Sequence, residues 1–501
     1  MLNTRKHPYT KIIETFSAQE MDLIVQLKRF FEWLEGDIEF NEAVINNRLS
    51  TPQLKRLREI GVFFDIKELA LIWEKPQLFL KCTGELACNN TGAAVDKEEE
   101  KLIEQYPLIS LWLKHCKLKK RLYLGAKKRA WRVPKNNRFD SWRLRRIKAI
   151  KSELGLFGYH IDHPVFAFEL GDGCTVGCWF CAFASKKLSK NFDYEENSTY
   201  FKKIVQLCVE LFGKDATGMA LLYYGTEPHD NPGYIDFIKD FHNITGHPVC
   251  TATTAAADAT WIRELIAYYR QGNYPWPRLS VLSQEMLLEI HETYSPEELR
   301  DVSLLMQMKD HQRDKVTGGR ILGEHEGLKG RESGHYLEGI VPQGSIACVS
   351  GFLINMVHQT IQLVSPCYTS KKWPYGYRVF DQVSFTDETD FKKAMEKLIE
   401  RNMADKPIPA AKAEFRDDLN FQTTPKGFDL ISPNQIHHFE GGGLYRDLGK
   451  LVASGNKTYK ELFDTLIDNS HYNPLAIFSF VKELFDSGLL NEKYNYGIKG
   501  K

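Results

Sequence analysis

The sequence predicts an α/β protein with a parallel sheet, an N-terminal helical region and a C-terminal module that resembles a winged helix. Three observations support this. Apolar strand-like runs alternate with helical patterns in the middle of the chain, which is typical of βαβ units. Helical patterns without strand alternation precede them. Two capped amphipathic helices and a short apolar stretch follow them.

Composition limits the function classes. The chain has 501 residues, a net charge of +1 and 43% hydrophobic residues, as ordinary globular proteins have. It contains no stretch of about 20 apolar residues that could span a membrane, and its start lacks the apolar core of a secretory signal. We therefore expect a cytoplasmic protein whose ten cysteines are thiols or metal ligands rather than a disulfide framework.

The N-terminal region, residues 1–90, is predicted to be helical. Ser17 and Glu20 form a capping box at the start of a helix over residues 17–34. Residues 83–99 are polar and contain glycine, which predicts a linker.

A linker and basic segment spans residues 91–155. Within it, residues 117–151 hold fifteen Lys or Arg residues and a single acidic residue, Asp140. Such a run is either a solvated basic helix pair or a docking surface for a polyanion or an acidic peptide.

The α/β region is predicted over residues 156–385, followed by a helical extension over residues 386–435. Predicted strands are 164–170, 218–224, 248–254, 278–283, 346–356 and 360–365. Predicted helices are 198–212, 233–243, 259–270, 295–308 and 387–402. Because the strands alternate with helices, we expect most of them to pair in parallel.

The winged-helix-like module is predicted over residues 436–501. Thr458 and Glu461 cap one helix, and Asn473 with Pro474 begins another. Such a module binds DNA or a peptide, or serves as a packing appendix.

The chemistry is carried by a cysteine motif that follows the first strand, GDGCTVGCWFC. Cys174, Cys178 and Cys181 have C-x3-C-x2-C spacing. Three thiolates can hold three irons of a [4Fe–4S] cluster and leave the fourth iron open. A structural zinc site prefers four ligands in paired spacing, and three clustered core cysteines are uncommon by chance. The motif therefore favours an iron–sulfur cluster.

This motif, with Phe180 before its last cysteine, resembles the signature of radical S-adenosylmethionine (SAM) enzymes. The resemblance implies a partial (β/α)6 barrel. It also implies that SAM binds the open iron and is cleaved to a 5′-deoxyadenosyl radical that abstracts a hydrogen atom.

The resemblance also implies which residues contact SAM. Gly225, Thr226 and Glu227 stand where the family carries Gly-Gly-Glu, so Glu227 is expected to accept from the methionyl ammonium. The threonine in place of the second glycine puts the tightness of that turn in question. The other expected SAM contacts are Phe180, Thr253 with its neighbour Thr254 at the end of the third strand, and Ser280 or Ser283 at the end of the fourth.

A narrower resemblance covers roughly residues 155–385. GSIACVSGFLINM and SPCYTSKKWPYGYRVF look like the peptide epimerases that mature ribosomal natural products of the proteusin type. This implies conversion of L- to D-residues in a precursor peptide made of a leader and a core. In that family a cysteine of this region returns the hydrogen atom, a role that falls on Cys367 with Cys348 in reserve. The enzyme would need a one-electron reductant such as flavodoxin or ferredoxin.

Three other functions remain open. A radical SAM peptide C-methyltransferase that uses cobalamin should carry a Rossmann-like domain before the barrel, and residues 1–155 show no strand alternation. A tRNA-modifying radical SAM enzyme would explain the basic segment, although the near-neutral chain does not favour a nucleic-acid partner. An iron–sulfur redox sensor that binds DNA would not explain the GTEP turn.

Overall fold

The computed structural model describes residues 8–86, 95–130, 134–271, 277–308, 318–321, 345–470 and 472–492. The chain divides into two compact units. The first comprises residues 1–131 and 227–314, and the second comprises residues 132–226 and 315–501. The chain therefore passes from the second unit back to the first between Thr226 and Glu227. No helix of the described chain is long and apolar enough to cross a membrane.

The first unit combines a helical N-terminal half with a small parallel sheet. Its helices are α1 (Pro8–Ile13), α2 (Ala18–Gly36), α3 (Ile38–Ile45), α4 (Thr51–Glu59), α5 (Leu71–Glu74), α6 (Pro76–Leu86), α7 (Lys97–Ile103), α8 (Pro107–Ala130), α13 (Tyr234–Thr245), α14 (Ala259–Gln271) and α15 (Gln284–Thr293). Its strands are β5 (Ala252–Thr253), β6 (Arg278–Val281) and β7 (Ser303–Met306), paired in parallel in that order.

The second unit holds the remaining elements. Its helices are α9 (Asn137–Leu154), α10 (Leu156–His160), α11 (Tyr194–Phe212), α12 (Lys214–Thr217), α16 (Glu388–Asn402), α17 (Gly443–Ser454), α18 (Tyr459–Ser470) and α19 (Pro474–Asp486). Its strands are β1 (Phe166–Glu169), β2 (Gly171–Asp172), β3 (Lys190–Asn191), β4 (Ala220–Leu221), β8 (Gly351–Asn355), β9 (Thr360–Pro366), β10 (Tyr377–Ser384), β11 (Asn420–Thr424), β12 (Gly427–Ile431) and β13 (Ile436–Glu440).

The main sheet of the second unit has the order β10-β9-β8-β1-β4. Strand β1 pairs in parallel with β4 on one side and with β8 on the other. Strand β9 is antiparallel to β8, to which the short connection of residues 356–359 joins it, and β10 is antiparallel to β9 across the longer connection of residues 367–376. Buried aromatic side chains fill one face of this sheet, including Phe166 and Phe352, whose ring centroids lie 5.6 Å apart.

Most predicted elements are present, and two predictions are wrong. The predicted helix 295–308 contains a strand, β7, which pairs with β6. The predicted linker 83–99 begins inside α6 and ends inside α7, while residues 87–94 lie outside the described residues. The capping boxes at Ser17 and Thr458, and the Asn473 cap, are confirmed by hydrogen bonds from the backbone to the capping side chains.

The C-terminal module begins earlier than the predicted residue 436. The antiparallel sheet β11-β12-β13 shares one hydrophobic core with helices α17, α18 and α19, from Ala413 to Leu490. Strands therefore occupy part of the 386–435 range, which was predicted to be a helical extension and contains only one long helix, α16.

Several arginines of the basic segment lie inside the protein. On α9, the side chain of Arg143 donates to the carbonyl of His163 at 2.6 Å, and Arg145 and Arg146 both pair with Glu492. The side chains of Arg143, Arg145, Arg146 and Glu492 are all buried. These arginines are therefore unavailable to dock an acidic peptide, and a docking surface on this stretch is limited to its other basic residues.

We expect Glu492→Ala to destabilise the second unit by about 3–5 kcal/mol, because it leaves two buried guanidinium groups without their carboxylate. The free energy of the unfolding transition in urea measures this. Glu440→Ala is the control, since the exposed Glu440 lies 4.0 Å from Lys426 and should change stability by less than about 0.5 kcal/mol. Equal effects of the two substitutions would contradict the role given to Glu492.

Candidate functional site

The three-cysteine loop connects β2 to β3, which pair with each other and close the loop at its base. Within it, the amide of Cys174 donates to the carbonyl of Lys186 at 2.9 Å, and the amide of Cys181 donates to the carbonyl of Cys178 at 3.2 Å. Gly173 and Gly177 have φ values of 97° and 65°, a backbone conformation that favours glycine. The loop is thus a compact structure that directly follows β1.

The donor set of this loop suits an iron–sulfur cluster. Cys174, Cys178 and Cys181 are half-buried, and no described cysteine lies in a disulfide. Thiolates are the ligands that such clusters require. In the described part of the chain, no three His, Cys, Asp or Glu side chains converge as a metal site. The loop therefore supplies three thiol ligands of the kind that an iron–sulfur cluster needs on one short segment. Their sulfur atoms do not converge on a common point in the structure.

Gly225 is held at both of its backbone polar groups. Its amide donates to Oε1 of Glu169, at the end of β1, at 2.9 Å, and its carbonyl accepts from Oγ of Ser185. A Cβ atom at this position would lie 3.1 Å from the Ser185 Oγ and 3.2 Å from the Glu169 Oε1, so a side chain there would displace these two groups by a few tenths of an ångström. A residue just before the three-cysteine loop and a residue within it therefore hold Gly225, the first residue of the GTEP sequence, to the loop.

The threonine in the second position of this turn is compatible with its backbone. Neither Gly225 nor Thr226 is among the described residues with positive φ. A β-branched residue is therefore tolerated there without strain.

Glu227 is buried and accepts four hydrogen bonds within the first unit. Its Oε1 accepts from the Thr253 hydroxyl and from the His229 amide at 3.2 Å. Its Oε2 accepts from the amide and hydroxyl of Thr254, each at 3.0 Å. Burial raises the pKa of the Glu227 carboxyl, and these hydrogen bonds oppose that shift. The structure thus brings together Glu227 and Thr253, two of the site residues predicted from the sequence.

Ser280 is not brought into this group. It lies half-buried in β6 beside Leu305, whereas Thr253 pairs with Leu279. Because side chains alternate along a strand, Thr253 and Ser280 point to opposite faces of the small sheet. Phe180 lies in the second unit, where its ring packs edge-on against that of Trp179 at 5.5 Å.

Cys367 lies at one end of the main sheet. It follows β9, which is antiparallel, so it lies toward the amino ends of β8 and β1, whereas the loop follows the carboxyl end of β1. Its electrostatic neighbours are Arg378, Glu153 and Asp418. The side chain has no solvent exposure, and burial raises the pKa of its thiol to about 12. The thiol therefore stays protonated at neutral pH.

Cys348, the reserve candidate, is half-buried beside two tyrosines. Its amide donates to the Tyr224 hydroxyl at 3.3 Å, and it packs in one apolar cluster with Tyr224 and Tyr377. The ring of Phe183, two residues after Cys181, lies 4.4 Å from that of Tyr224 and 6.4 Å from that of Tyr377. Aromatic side chains therefore connect the three-cysteine loop to Cys348.

Sequence reasoning missed Glu169, Ser185 and Tyr224. Glu169 offered a signal, since it is an acidic residue that ends an otherwise apolar strand. Burial raises the pKa of its carboxyl, while hydrogen bonds from Gly225 and Asn355 oppose that shift. Ser185 and Tyr224 offered none, because only the folded chain places them at the turn and at Cys348.

Comparison with known proteins found a relative that covers almost the whole chain. The chain is 31% identical over 491 residues to a protein of Sinorhizobium fredii (strain NBRC 101917 / NGR234) described as "Uncharacterized protein y4wI". The alignment covers 97% of this chain and 90% of that protein. No protein-family model matches the chain, and no solved structure matches it.

The two candidate donor cysteines should differ in reactivity toward a thiol-alkylating reagent. We expect Cys348 to be alkylated in the native protein at pH 8 and Cys367 to stay unmodified, because Cys367 is fully buried and its thiol remains protonated far above pH 8. Peptide mass spectrometry after timed labelling measures both sites. Labelling of Cys367 as fast as Cys348 would contradict its burial, and labelling of both in urea is the control.

Proposed function

The chain belongs to the family of the y4wI protein, and since that name states no activity, we propose from the residues that it is a radical SAM peptide epimerase. Its reaction converts L- to D-residues in a ribosomally made precursor peptide. The proposed cofactors are a [4Fe–4S] cluster, bound by Cys174, Cys178 and Cys181, and SAM. The proposed fold of the catalytic region is a partial (β/α)6 barrel.

The observation that carries this proposal is the attachment of Gly225, the first residue of the GTEP sequence, to the three-cysteine loop. Glu169, just before the loop, and Ser185, within it, both bind Gly225. Cluster ligation and SAM binding have to be coordinated for the family's chemistry, and this attachment supplies a structural reason why the two motifs occur together.

When bound, the cluster and SAM would supply a 5′-deoxyadenosyl radical, formed by reductive cleavage of SAM, to remove a Cα hydrogen from the peptide. Glu227 would accept from the methionyl ammonium. Its carboxylate already accepts four hydrogen bonds, about as many as its lone pairs allow. The ammonium therefore has to replace one donor. The hydroxyl of Thr254 is the donor best able to leave, because it can rotate while the Thr254 amide keeps its own bond.

Return of hydrogen to the opposite face of Cα needs a thiol that carries its proton. Cys367 meets this requirement, because its raised pKa keeps the thiol neutral. Cys348 is the second candidate, because it is half-buried and packs with Tyr224 and Tyr377, which contact Phe183 of the loop. We keep the donor role for Cys367, and the paired substitutions below decide between the two.

The proposed partners are the precursor peptide and a one-electron reductant such as flavodoxin or ferredoxin. We propose the C-terminal module as the docking site for the leader, because β13 is an edge strand with the apolar side chain of Ile436 exposed. The proposed compartment is the cytoplasm, where cluster thiols stay reduced.

Anaerobic reconstitution should load one [4Fe–4S] cluster on the wild-type chain and permit SAM cleavage. Changing Cys174, Cys178 and Cys181 together to Ala should abolish both the cluster absorption and 5′-deoxyadenosine formation, because the thiolate ligands are gone. Cys250→Ala, outside the loop, is the matched control and should retain both. A full cluster in the triple variant would refute the assignment.

Reaction with a precursor peptide in deuterated water tests the epimerase function and the donor. The wild type should place deuterium at Cα of each new D-residue, since a thiol proton exchanges with solvent. Cys367→Ala should still form 5′-deoxyadenosine while D-residue formation falls at least tenfold, and Cys348→Ala should retain activity. Chiral analysis and mass spectrometry of the peptide measure this.

The opposite result in the two cysteine variants would move the donor role to Cys348. Added carbon mass without solvent label would identify a methyltransferase instead. Modification of tRNA with steep salt dependence would identify the nucleic-acid alternative.

A further inference from the structure

A short segment outside the sequence motifs binds the three-cysteine loop. Arg320, in the described segment 318–321, donates three hydrogen bonds to the loop, two from its guanidinium group and one from its backbone amide. Its Nη1 donates to the carbonyl of Cys178 at 2.6 Å, its Nη2 donates to the carbonyl of Ser185, and its amide donates to the carbonyl of Cys181 at 3.0 Å. One residue thus binds the backbone of two predicted cluster ligands and of the residue that binds Gly225.

The residue before Arg320 is a glycine, Gly319, and only a glycine allows the segment to approach the loop this closely. Gly319 has a φ of 51°, and a Cβ atom there would lie 2.4 Å from the carbonyl oxygens of both Cys181 and Ala182. Its amide donates to the carbonyl of Pro374 at 2.8 Å. The segment is therefore held between the loop and the stretch that follows Cys367.

The loop needs such support because its backbone is strained. Ala184 has a φ of 47°, a conformation that costs an L-residue about 1–2 kcal/mol and persists only where surrounding contacts enforce it. The Ala184 amide donates to the carbonyl of Cys181 at 3.1 Å, the same oxygen that accepts from Arg320.

We infer that Arg320 is a positioning residue that holds the three-cysteine loop in its folded shape and thereby retains and tunes the metal centre. This inference rests on the proposed function for the identity of that centre. Its guanidinium supplies two directed hydrogen bonds and a permanent positive charge beside the ligand residues. Both hydrogen bonds and net charge near a cluster set its reduction potential.

The first test uses the metal-free chain, so it does not depend on the cluster. In Arg320→Gln, hydrogen exchange at the amides of Cys181 and Ala184 should become about tenfold faster or more, because charge-assisted bonds to the loop are lost. Arg320→Lys should show an intermediate rate, since a lysine cannot reach all the carbonyls. Arg138→Gln is the matched control, because the exposed Arg138 pairs with Asp405.

The second test uses the reconstituted protein. Arg320→Gln should release iron to a chelator several-fold faster than wild type, and its cluster should show a more negative reduction potential. Arg320→Lys should restore the potential more fully than the rate of iron release, because it restores charge but not geometry. A purely structural role would not move the potential of the cluster in variants with the same circular dichroism and melting temperature.

The outcomes separate the two proposals. Unchanged amide exchange, or iron release and potential equal to wild type, overturns the role of Arg320 and leaves the proposed function standing. A wild-type chain that takes up no cluster overturns the proposed function, and the exchange experiment alone then decides whether Arg320 holds the loop.

Discussion

Three buried arginines on α9 constrain the second unit more than any other feature. An unpaired guanidinium in the interior costs several kcal/mol, so each one requires partners with good geometry. Arg143 binds the backbone just before β1, and Arg145 and Arg146 bind Glu492 near the end of the chain. The start of the main sheet and the C-terminal module are therefore held by the same helix, although more than 300 residues separate them in sequence.

This constraint also explains why the basic segment was ambiguous in sequence. A run of Lys and Arg has the same composition whether it is solvated, docks a ligand or forms internal ion pairs. The partner that decides the matter, Glu492, lies far along the chain and in no recognisable motif. The pattern of charges along a sequence does not show which charged residues are buried. A buried charge is stabilised by its partner in the fold and not by its neighbours in sequence.

Local patterns predicted most elements, and long-range pairing decided the rest. Capping boxes at Ser17 and Thr458 depend only on residues three apart, and they are present. The apolar residues of 295–308 fit a helical or a strand period equally well over so short a run, and pairing with β6 selected the strand. The direction of β9, in contrast, had a local signal. The connection of residues 356–359 is too short for a parallel pair, which needs a crossover of about a dozen residues, so β9 is antiparallel to β8. Cys367 therefore lies toward the opposite end of the sheet from the position that a parallel strand would give it.

The candidate site shows a division between residues that a motif reveals and residues that hold the motif in place. The cysteine spacing and the GTEP turn are local, so the sequence predicted them by residue. Glu169, Ser185 and Arg320 bind backbone atoms of those motifs and belong to no recognisable sequence motif themselves.

Thr226 illustrates the consequence. From sequence, its β-branched side chain put the tight turn in question, because tightness was attributed to glycine flexibility. In the structure both polar groups of Gly225 are bound, by a side chain just before the loop and by one within it, and Thr226 has no positive φ, so that attachment requires no second glycine.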